Sequence, residues 1–192
     1  MASQRNIPSH LSLVKPHAAS QAPLPQGPVT LDSLYRQHAA FVARLALRLL
    51  GREADVDDVV HDVFIDLSRQ LATLENPEEL RGWLTTVTVR ASRRRLRRAR
   101  LRFCVGLDTV TDYEALVADT ASPEQTAFLK NVYHLMNKLP ADQRLAWTLR
   151  HIEGETLETV ALRCEMSLAT AKRKIASANE RLRKGLAAWI DS

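Results

Sequence analysis

Eight arginines lie close together between positions 90 and 102, with no acidic residue among them. They are Arg90, Arg93, Arg94, Arg95, Arg97, Arg98, Arg100 and Arg102. Guanidinium groups at this density repel one another strongly, so a folded protein rarely carries them without a polyanion that neutralises them. A solvated basic tail is the alternative for an isolated run, and the flanking sequence decides between the two.

An amphipathic helix is predicted to lead into this arginine block. Apolar residues recur at spacings of three and four from Leu80 to Ala91. Residues 76–79, Asn-Pro-Glu-Glu, supply an N-cap, a proline at the first helical position and a glutamate at the third. Trp83 lies on the apolar face, and we interpret it as a core residue rather than as a platform for base stacking. The block is therefore expected to continue a folded helix.

Four aspartates form a stripe on an earlier predicted helix, at spacings of three and four: Asp55, Asp58, Asp62 and Asp66. Another face of that helix is apolar from Val56 to Leu71, and Asp55 is expected to cap it. Carboxylates at i and i+4 can hold a divalent cation, and a plain solvated face is a second interpretation. A metal site is disfavoured, because no matching ligand set occurs elsewhere in the chain. A docking face for a basic protein surface is the favoured interpretation.

A short helix, a tight turn and a basic helix follow one another near the C-terminus. The short helix is predicted from Thr156 to Cys164, and residues 165–167 form the turn. Ser167 caps the longer helix, which has an apolar inner side and a basic outer side. This pattern is typical of a helix-turn-helix, whose second helix enters the major groove of DNA. A generic helical hairpin is the alternative.

The remaining pattern is also helical. One helix is expected from near Thr30 to Gly51, another starts at Ser122, and Pro140 ends it. Aromatic residues make up only 5% of the chain, and Leu, Ala and Arg dominate, which favours helix over sheet. We predict an all-α fold of two small helical domains joined by a flexible linker, the second domain containing the helix-turn-helix. The expected division is a disordered extension at 1–29, a first domain at 30–102, a linker at 103–121 and a second domain at 122–192.

Charge and cysteine content limit the functional classes. The net charge is +5, with acidic and basic residues concentrated in different segments, which suggests nucleic acid on the basic surfaces and a basic partner on the acidic one. Cys104 and Cys164 lack the spacing of a zinc site, and no cofactor or metal is expected. No apolar run approaches the roughly 20 residues that span a bilayer, and no signal-peptide pattern is present. A cytoplasmic location without membrane insertion is therefore predicted.

These segments together resemble the extracytoplasmic-function (ECF) sigma factors of bacterial RNA polymerase, over residues 31–102 and 122–187. Ala54 to Phe64, ADVDDVVHDVF, is similar to the family's ADxEDLVQEVF-like helix. RGWLTTVTVRASRRRLRR resembles the helix that melts and reads the minus-ten element. The segment from NKLPADQRLAW to NERLRKGL resembles sigma domain four, and no other domain fits between the two blocks.

The resemblance implies a sigma factor that directs core polymerase to promoters and helps to melt the minus-ten region. Its implied partners are the β′ clamp helices and β flap of core RNA polymerase, promoter DNA and a cognate anti-sigma factor. The implied core-binding residues are Asp55, Asp57, Asp58, His61, Asp62 and Phe64. The implied minus-ten contacts are Trp83, Thr86, Arg90, Arg93, Arg94, Arg97 and Arg98. The implied minus-thirty-five contacts are Arg144, Ser167, Thr170, Lys172, Arg173, Lys174 and Ser177.

The chain departs from the family pattern at three places. Val89-Arg90 stands where many members have Arg-Asn, and Arg94 stands where they have Asp. The family's account of a base held by that Asn cannot be transferred to Arg90. Glu165 occupies a turn position that is usually Gly, and a left-handed backbone there would cost about 1 kcal/mol.

Other functional classes remain open at the level of sequence. A stand-alone helix-turn-helix regulator would explain residues 156–184 but not the arginine block joined to an acidic helix. A metal-dependent nuclease would use Asp55, Asp58 and Asp62, and a structural adaptor would not bind DNA. The sigma-factor hypothesis predicts binding and strand separation rather than enzymatic catalysis.

Overall fold

The computed structural model describes residues 30–71, 77–104 and 122–190, and all regular secondary structure in these ranges is helical. The predicted all-α fold is thus confirmed. The predicted N-terminal extension and residues 105–121 of the predicted linker lie outside the described residues. None of the described helices is long and apolar enough to cross a membrane. The α-helices are α1 (Leu31–Leu50), α2 (Val56–Gln70), α3 (Pro77–Cys104), α4 (Pro123–Asn137), α5 (Ala141–His151), α6 (Leu157–Arg163) and α7 (Leu168–Ile190).

Helices α1, α2 and α3 form the first half of the molecule. The Thr30 side chain accepts a hydrogen bond from the backbone N–H of Ser33, which starts α1, and Gly51 ends it in a left-handed conformation with φ 66°. Asp55 occupies the N-cap position of α2, as predicted, but its carboxylate pairs with Arg52 and makes no capping hydrogen bond. The three helices enclose an apolar core that includes Leu34, Val42, Val59, Val63, Leu67, Leu80, Leu84 and Val87.

Helices α4 to α7 form the second half. The predicted capping box at its start is present, since Ser122 and Gln125 exchange side-chain to backbone hydrogen bonds. Trp147 of α5 is buried, and its indole N–H donates to the amide oxygen of Asn179 on α7 at 2.6 Å. This contact fixes α7 against α5. The core of this half includes Val132, Tyr133, Met136, Leu139, Ile152, Ala178 and Leu182.

The two halves pack directly against each other. Leu45 and Leu49 of α1 and Val89 of α3 belong to the same buried cluster as residues of α5, α6 and α7. Val89 has no exposed surface. The members from the second half are Leu145, Ala146, Leu149, Val160, Ala161, Cys164, Ala171 and Ile175. The helix that carries the arginine block therefore runs along the boundary between the halves.

Candidate nucleic-acid interface

The arginine block of α3 is surrounded by acids that the neighbouring sequence does not contain. Arg90, Arg93, Arg94, Arg95 and Arg97 each form an ion pair with a residue of another part of the fold. The acids come from α2, from α5 and from the turn after α6. The tertiary structure thus relieves much of the repulsion between the arginines, because each of these five guanidinium groups lies beside a carboxylate.

Arg95 is a structural member of the block. Its side chain is 13% exposed, and it donates to Asp62 at 2.7 Å and lies 3.5 Å from Asp58. Burial alone would lower the pKa of Arg95, but the hydrogen bond and the attraction to Asp62 outweigh it, so the pKa is raised. This side chain stays charged and ties α3 to α2.

Arg93 lies under the helix-turn-helix. Its side chain is 13% exposed, and one guanidinium N–H donates to the carbonyl oxygen of Cys164 at 2.6 Å. The same guanidinium pairs with Asp142 of α5 at 3.1 Å and with Glu165 at 3.5 Å. In this arrangement Arg93 is engaged by the second half of the molecule rather than available to a ligand.

The predicted contacts nearer the start of α3 are also close to the second half. Trp83 is partly buried and packs against the core of α1 to α3, as its interpretation as a core residue requires. The hydroxyl of Thr86 donates to the carbonyl of Gly82 at 3.1 Å. That carbonyl also accepts a 2.6 Å hydrogen bond from Arg163 at the end of α6. Arg163 was not predicted from the sequence, because nothing local marks its partner on α3.

Three predicted minus-ten residues project more freely from the far end of α3. Arg97 is 63% exposed in its side chain and lies 3.5 Å from Asp142. Arg94 is 3.7 Å from Asp62 and is also well exposed, and Arg98 is exposed. These three guanidinium groups lie within reach of an approaching polyanion without any rearrangement of the helices.

The members of the aspartate stripe on α2 differ in exposure. Asp58 is exposed and lies 3.5 Å from Arg95, whereas Asp62 is half-buried and pairs more closely with Arg95. The neighbouring Asp57 and His61 are exposed. Phe64 is only 6% exposed, because its ring packs edge-on against that of Tyr35, with centroids 4.8 Å apart. Phe64 therefore belongs to the core beneath the stripe in this structure. Among the described residues no group of three metal-ligating side chains converges, so the cation interpretation gains no support.

The helix-turn-helix is formed by α6, the turn at residues 164–167 and α7. Ser167 accepts a 3.2 Å hydrogen bond from the backbone N–H of Thr170, as predicted for the cap of α7. Lys172 and Arg173 are exposed on the first turns of α7, and Lys174 is partly exposed. Ser177 accepts a hydrogen bond from Gln143 of α5 at 3.1 Å. The basic face of α7 is thus presented outwards.

Glu165 adopts the left-handed conformation that the sequence suggested, with φ 50°. Its carboxylate pairs with Arg90 and with Arg93, so the turn residue bridges two arginines of α3. The hydrogen bond from Arg90 holds the pKa of Glu165 below its usual range. The sequence alone offered no interaction that could offset the backbone strain of about 1 kcal/mol at Glu165. The ion pairs with Arg90 and Arg93 are such interactions.

Arg144 is placed differently from its predicted role. It is 1% exposed, and its Nε donates to the carbonyl oxygen of Leu49, at the end of α1, at 2.8 Å. A second N–H bonds to Asn137. A guanidinium buried between α1 and α5 cannot reach DNA in this arrangement. The implied minus-thirty-five contact of Arg144 stays a prediction that requires the two halves to separate.

Comparison with known proteins supports the resemblance to sigma factors. The Sigma-70 region 2 model matches residues 34–102, and the Sigma-70 region 4 model matches residues 129–182. The chain is 30% identical over 152 residues to the ECF RNA polymerase sigma factor SigM of Mycobacterium tuberculosis, covering 79% of this chain and 74% of that protein. It is 30% identical over 167 residues to the ECF sigma factor SigE of Mycolicibacterium smegmatis, covering 81% of this chain. It spans only 61% of the SigE relative's length.

Solved structures share the fold. The sigma factor RpoE of Bartonella quintana, in complex with the anti-sigma factor NepR, superposes with a TM-score of 0.61 at 22% identity and covers 81% of this chain and 95% of its own. CnrH, in complex with the cytosolic domain of CnrY, gives a TM-score of 0.54 at 21% identity, over 82% of this chain and 88% of its own. A stand-alone helix-turn-helix regulator is not favoured, since the first half of the chain matches sigma region 2. The chain belongs to the ECF sigma factors of bacterial RNA polymerase.

Proposed function

We propose that this chain binds core RNA polymerase, directs it to specific promoters and helps to melt the minus-ten region. The proposal rests mainly on the order of two basic surfaces along one chain. An arginine-rich helix lies in the segment that matches sigma region 2, and an outward-facing basic helix lies in the segment that matches region 4. The core polymerase supplies the active site, so the chain itself performs no covalent chemistry.

Docking to polymerase is assigned to the exposed acidic face of α2. Asp57, Asp58 and His61 are exposed on this helix, and the half-exposed ring of Tyr35 on α1 packs against its Phe64. Carboxylates on this face complement a basic surface such as the β′ clamp helices, and charge complementarity of this kind accelerates and orients docking. The upstream helices of the second half would meet the β flap. The whole stripe, with Asp55, Asp62 and Phe64, remains the proposed docking region.

Promoter recognition is assigned to α7 and α3. Lys172 and Arg173 would reach phosphates and base edges in the major groove at the minus-thirty-five element, with Ser167 and Thr170 at the helix start. Along α3, Arg94, Arg97 and Arg98 would neutralise phosphates as bases of the minus-ten element leave the stack. Unstacking a base costs a few kcal/mol, which contacts to the separated strand and to core polymerase offset.

An anti-sigma factor is a further proposed partner. Both solved neighbours were determined as complexes with a partner protein, NepR in one case and the cytosolic domain of CnrY in the other. The proposed site of action is the cytoplasm, where polymerase and promoter are found.

The proposed function is tested by promoter selection. Core polymerase alone, the purified chain alone and the two together are each incubated with duplex DNA randomised in two separate blocks, and the bound DNA is sequenced, after a heparin challenge where core is present. The proposal predicts enrichment of two elements at a fixed spacing, only when core and chain are both present. Enrichment of a single element by the chain without core would instead identify a stand-alone helix-turn-helix regulator.

A further inference from the structure

Two of the positions at which this chain departs from the family pattern are in contact with each other. Arg90 replaces the usual Asn of the minus-ten helix, and Glu165 replaces the usual Gly of the helix-turn-helix turn. They are 75 residues apart in sequence, and their side chains form a hydrogen-bonded ion pair. A glycine at 165 would avoid the backbone strain, but it has no carboxylate to offer. The pairing therefore depends on both departures.

The contact extends beyond this pair. Arg93, the next arginine on the same face, is held by the carbonyl of Cys164 at 2.6 Å and by Asp142 at 3.1 Å. Nearer the start of α3, Arg163 donates to the carbonyl of Gly82 at 2.6 Å. The end of α6 and the turn that follows it thus lie along α3 from position 82 to position 93.

An apolar interface supports these polar contacts. Val89, which directly precedes Arg90 on α3, is completely buried, and it shares a cluster with Leu145 and Val160 of the second half. The buried side chain of Arg144 adds a hydrogen bond to the carbonyl of Leu49. Burial of apolar surface and the ion pairs both stabilise such an interface, and the ion pairs also fix its register.

The closed arrangement affects the two DNA-binding surfaces unequally. Lys172 and Arg173 of α7 are exposed, so the basic face of the helix-turn-helix remains open. Arg93 is 13% exposed, whereas Arg90 is 48% exposed and is engaged through its ion pair with Glu165. A DNA strand along this part of α3 would have to occupy the place of the turn at residues 164–166.

We propose that the turn of the helix-turn-helix, held by Glu165, is an autoinhibitory latch that withholds Arg90 and Arg93 of the minus-ten helix from DNA. The halves must separate before this part of α3 meets a strand. Phosphates then replace the carboxylates of Glu165 and Asp142 as partners of the two arginines. The inference rests on the proposed function for the role of α3 in DNA binding, but not for the contact itself.

The latch is tested on the full chain with two readouts. Glu165→Gly removes the carboxylate and suits the left-handed backbone, so the turn is expected to fold without strain. The matched control is Glu158→Gln, which also removes one negative charge from an exposed position on the helix-turn-helix, at a residue of α6 outside the contact. X-ray scattering measures the radius of gyration, and fluorescence anisotropy measures binding of a short single-stranded DNA of mixed sequence.

Glu165→Gly is expected to increase the radius of gyration and to tighten DNA binding roughly threefold to tenfold beyond Glu158→Gln. Its salt dependence should steepen by about 0.7 for each arginine that gains a phosphate. An unchanged radius of gyration would overturn the latch. An expanded chain that binds DNA no better than the control would overturn the withholding of the arginines. Neither result decides the proposed function, which the promoter selection with core polymerase tests separately.

Discussion

Arg144 illustrates how one side chain joins the two halves of the molecule. Its guanidinium donates to the Leu49 carbonyl at the C-terminal end of α1, where unpaired carbonyls carry partial negative charge. The approach is close because position 51 is a glycine in the left-handed conformation. A Cβ at this position would lie 2.5 Å from Nη2 of Arg144 and 2.8 Å from the Tyr133 ring. Gly51 thus ends α1, and because it has no Cβ it leaves room for the side chains of Arg144 and Tyr133 from the second half.

Replacement of Gly51 by alanine tests this contact. Gly51→Ala should lower the free energy of unfolding by about 1–2 kcal/mol for the positive φ and by about 1–3 kcal/mol more for the clash. Gly154→Ala is the matched control, since Gly154 has φ 73° but nothing within 4 Å of its Cβ position. Urea denaturation of both variants measures the difference. Equal losses of unfolding free energy in Gly51→Ala and Gly154→Ala would mean that α4 and α5 do not pack on the end of α1 in solution.

At the level of elements, the sequence predicts helices well and their partners poorly. The starts of α1 and α4 follow from capping residues that lie three positions apart, and the inward face of α7 follows from the 3.6-residue period. The acids that neutralise α3 do not follow from such signals. Asp142 and Glu165 lie tens of residues from their arginines, and no local pattern links them. The burial of Phe64 and Arg144 was missed for the same reason.

The pairing of α2 with α3 separates two kinds of aspartate on one helix. Asp62→Lys should lower the free energy of unfolding by about 1–3 kcal/mol, because it leaves the half-buried guanidinium of Arg95 without its closest partner. Asp57→Lys should change stability by less than about 0.5 kcal/mol, since Asp57 is exposed. Urea denaturation measures both variants, and co-purification with core polymerase measures docking.

The same pair of variants refines the docking surface. Asp57→Lys is expected to weaken co-purification with core polymerase while the protein stays folded, because the exposed carboxylate would face a basic surface. Retention of full core binding by Asp57→Lys would remove the outer face of α2 from the proposed interface. A stable Asp62→Lys protein would show that the Arg95 pair does not support α2 against α3.

On the scale of the whole molecule, the described residues form a closed arrangement of the two helices that are proposed to bind DNA: α7 is open, and α3 is partly covered. The basic face of α7 is directed outwards, whereas α3 is shared between both halves through Val89, Arg90 and Arg93. A two-element promoter requires both helices at once, so the proposed function and the closed arrangement together require a separation step. Core polymerase, which would engage the exposed face of α2, is the proposed agent of that step.

Run-off transcription tests the central claim most directly. Core polymerase with the chain is expected to produce a defined transcript from a promoter obtained by selection, and core alone should produce none. The double variant Lys172→Ala with Arg173→Ala should reduce that transcript at least about tenfold, since each lost contact in the major groove costs about 1 kcal/mol or more. If core with the wild-type chain gives no more specific transcript than core alone, the chain does not direct polymerase to this promoter.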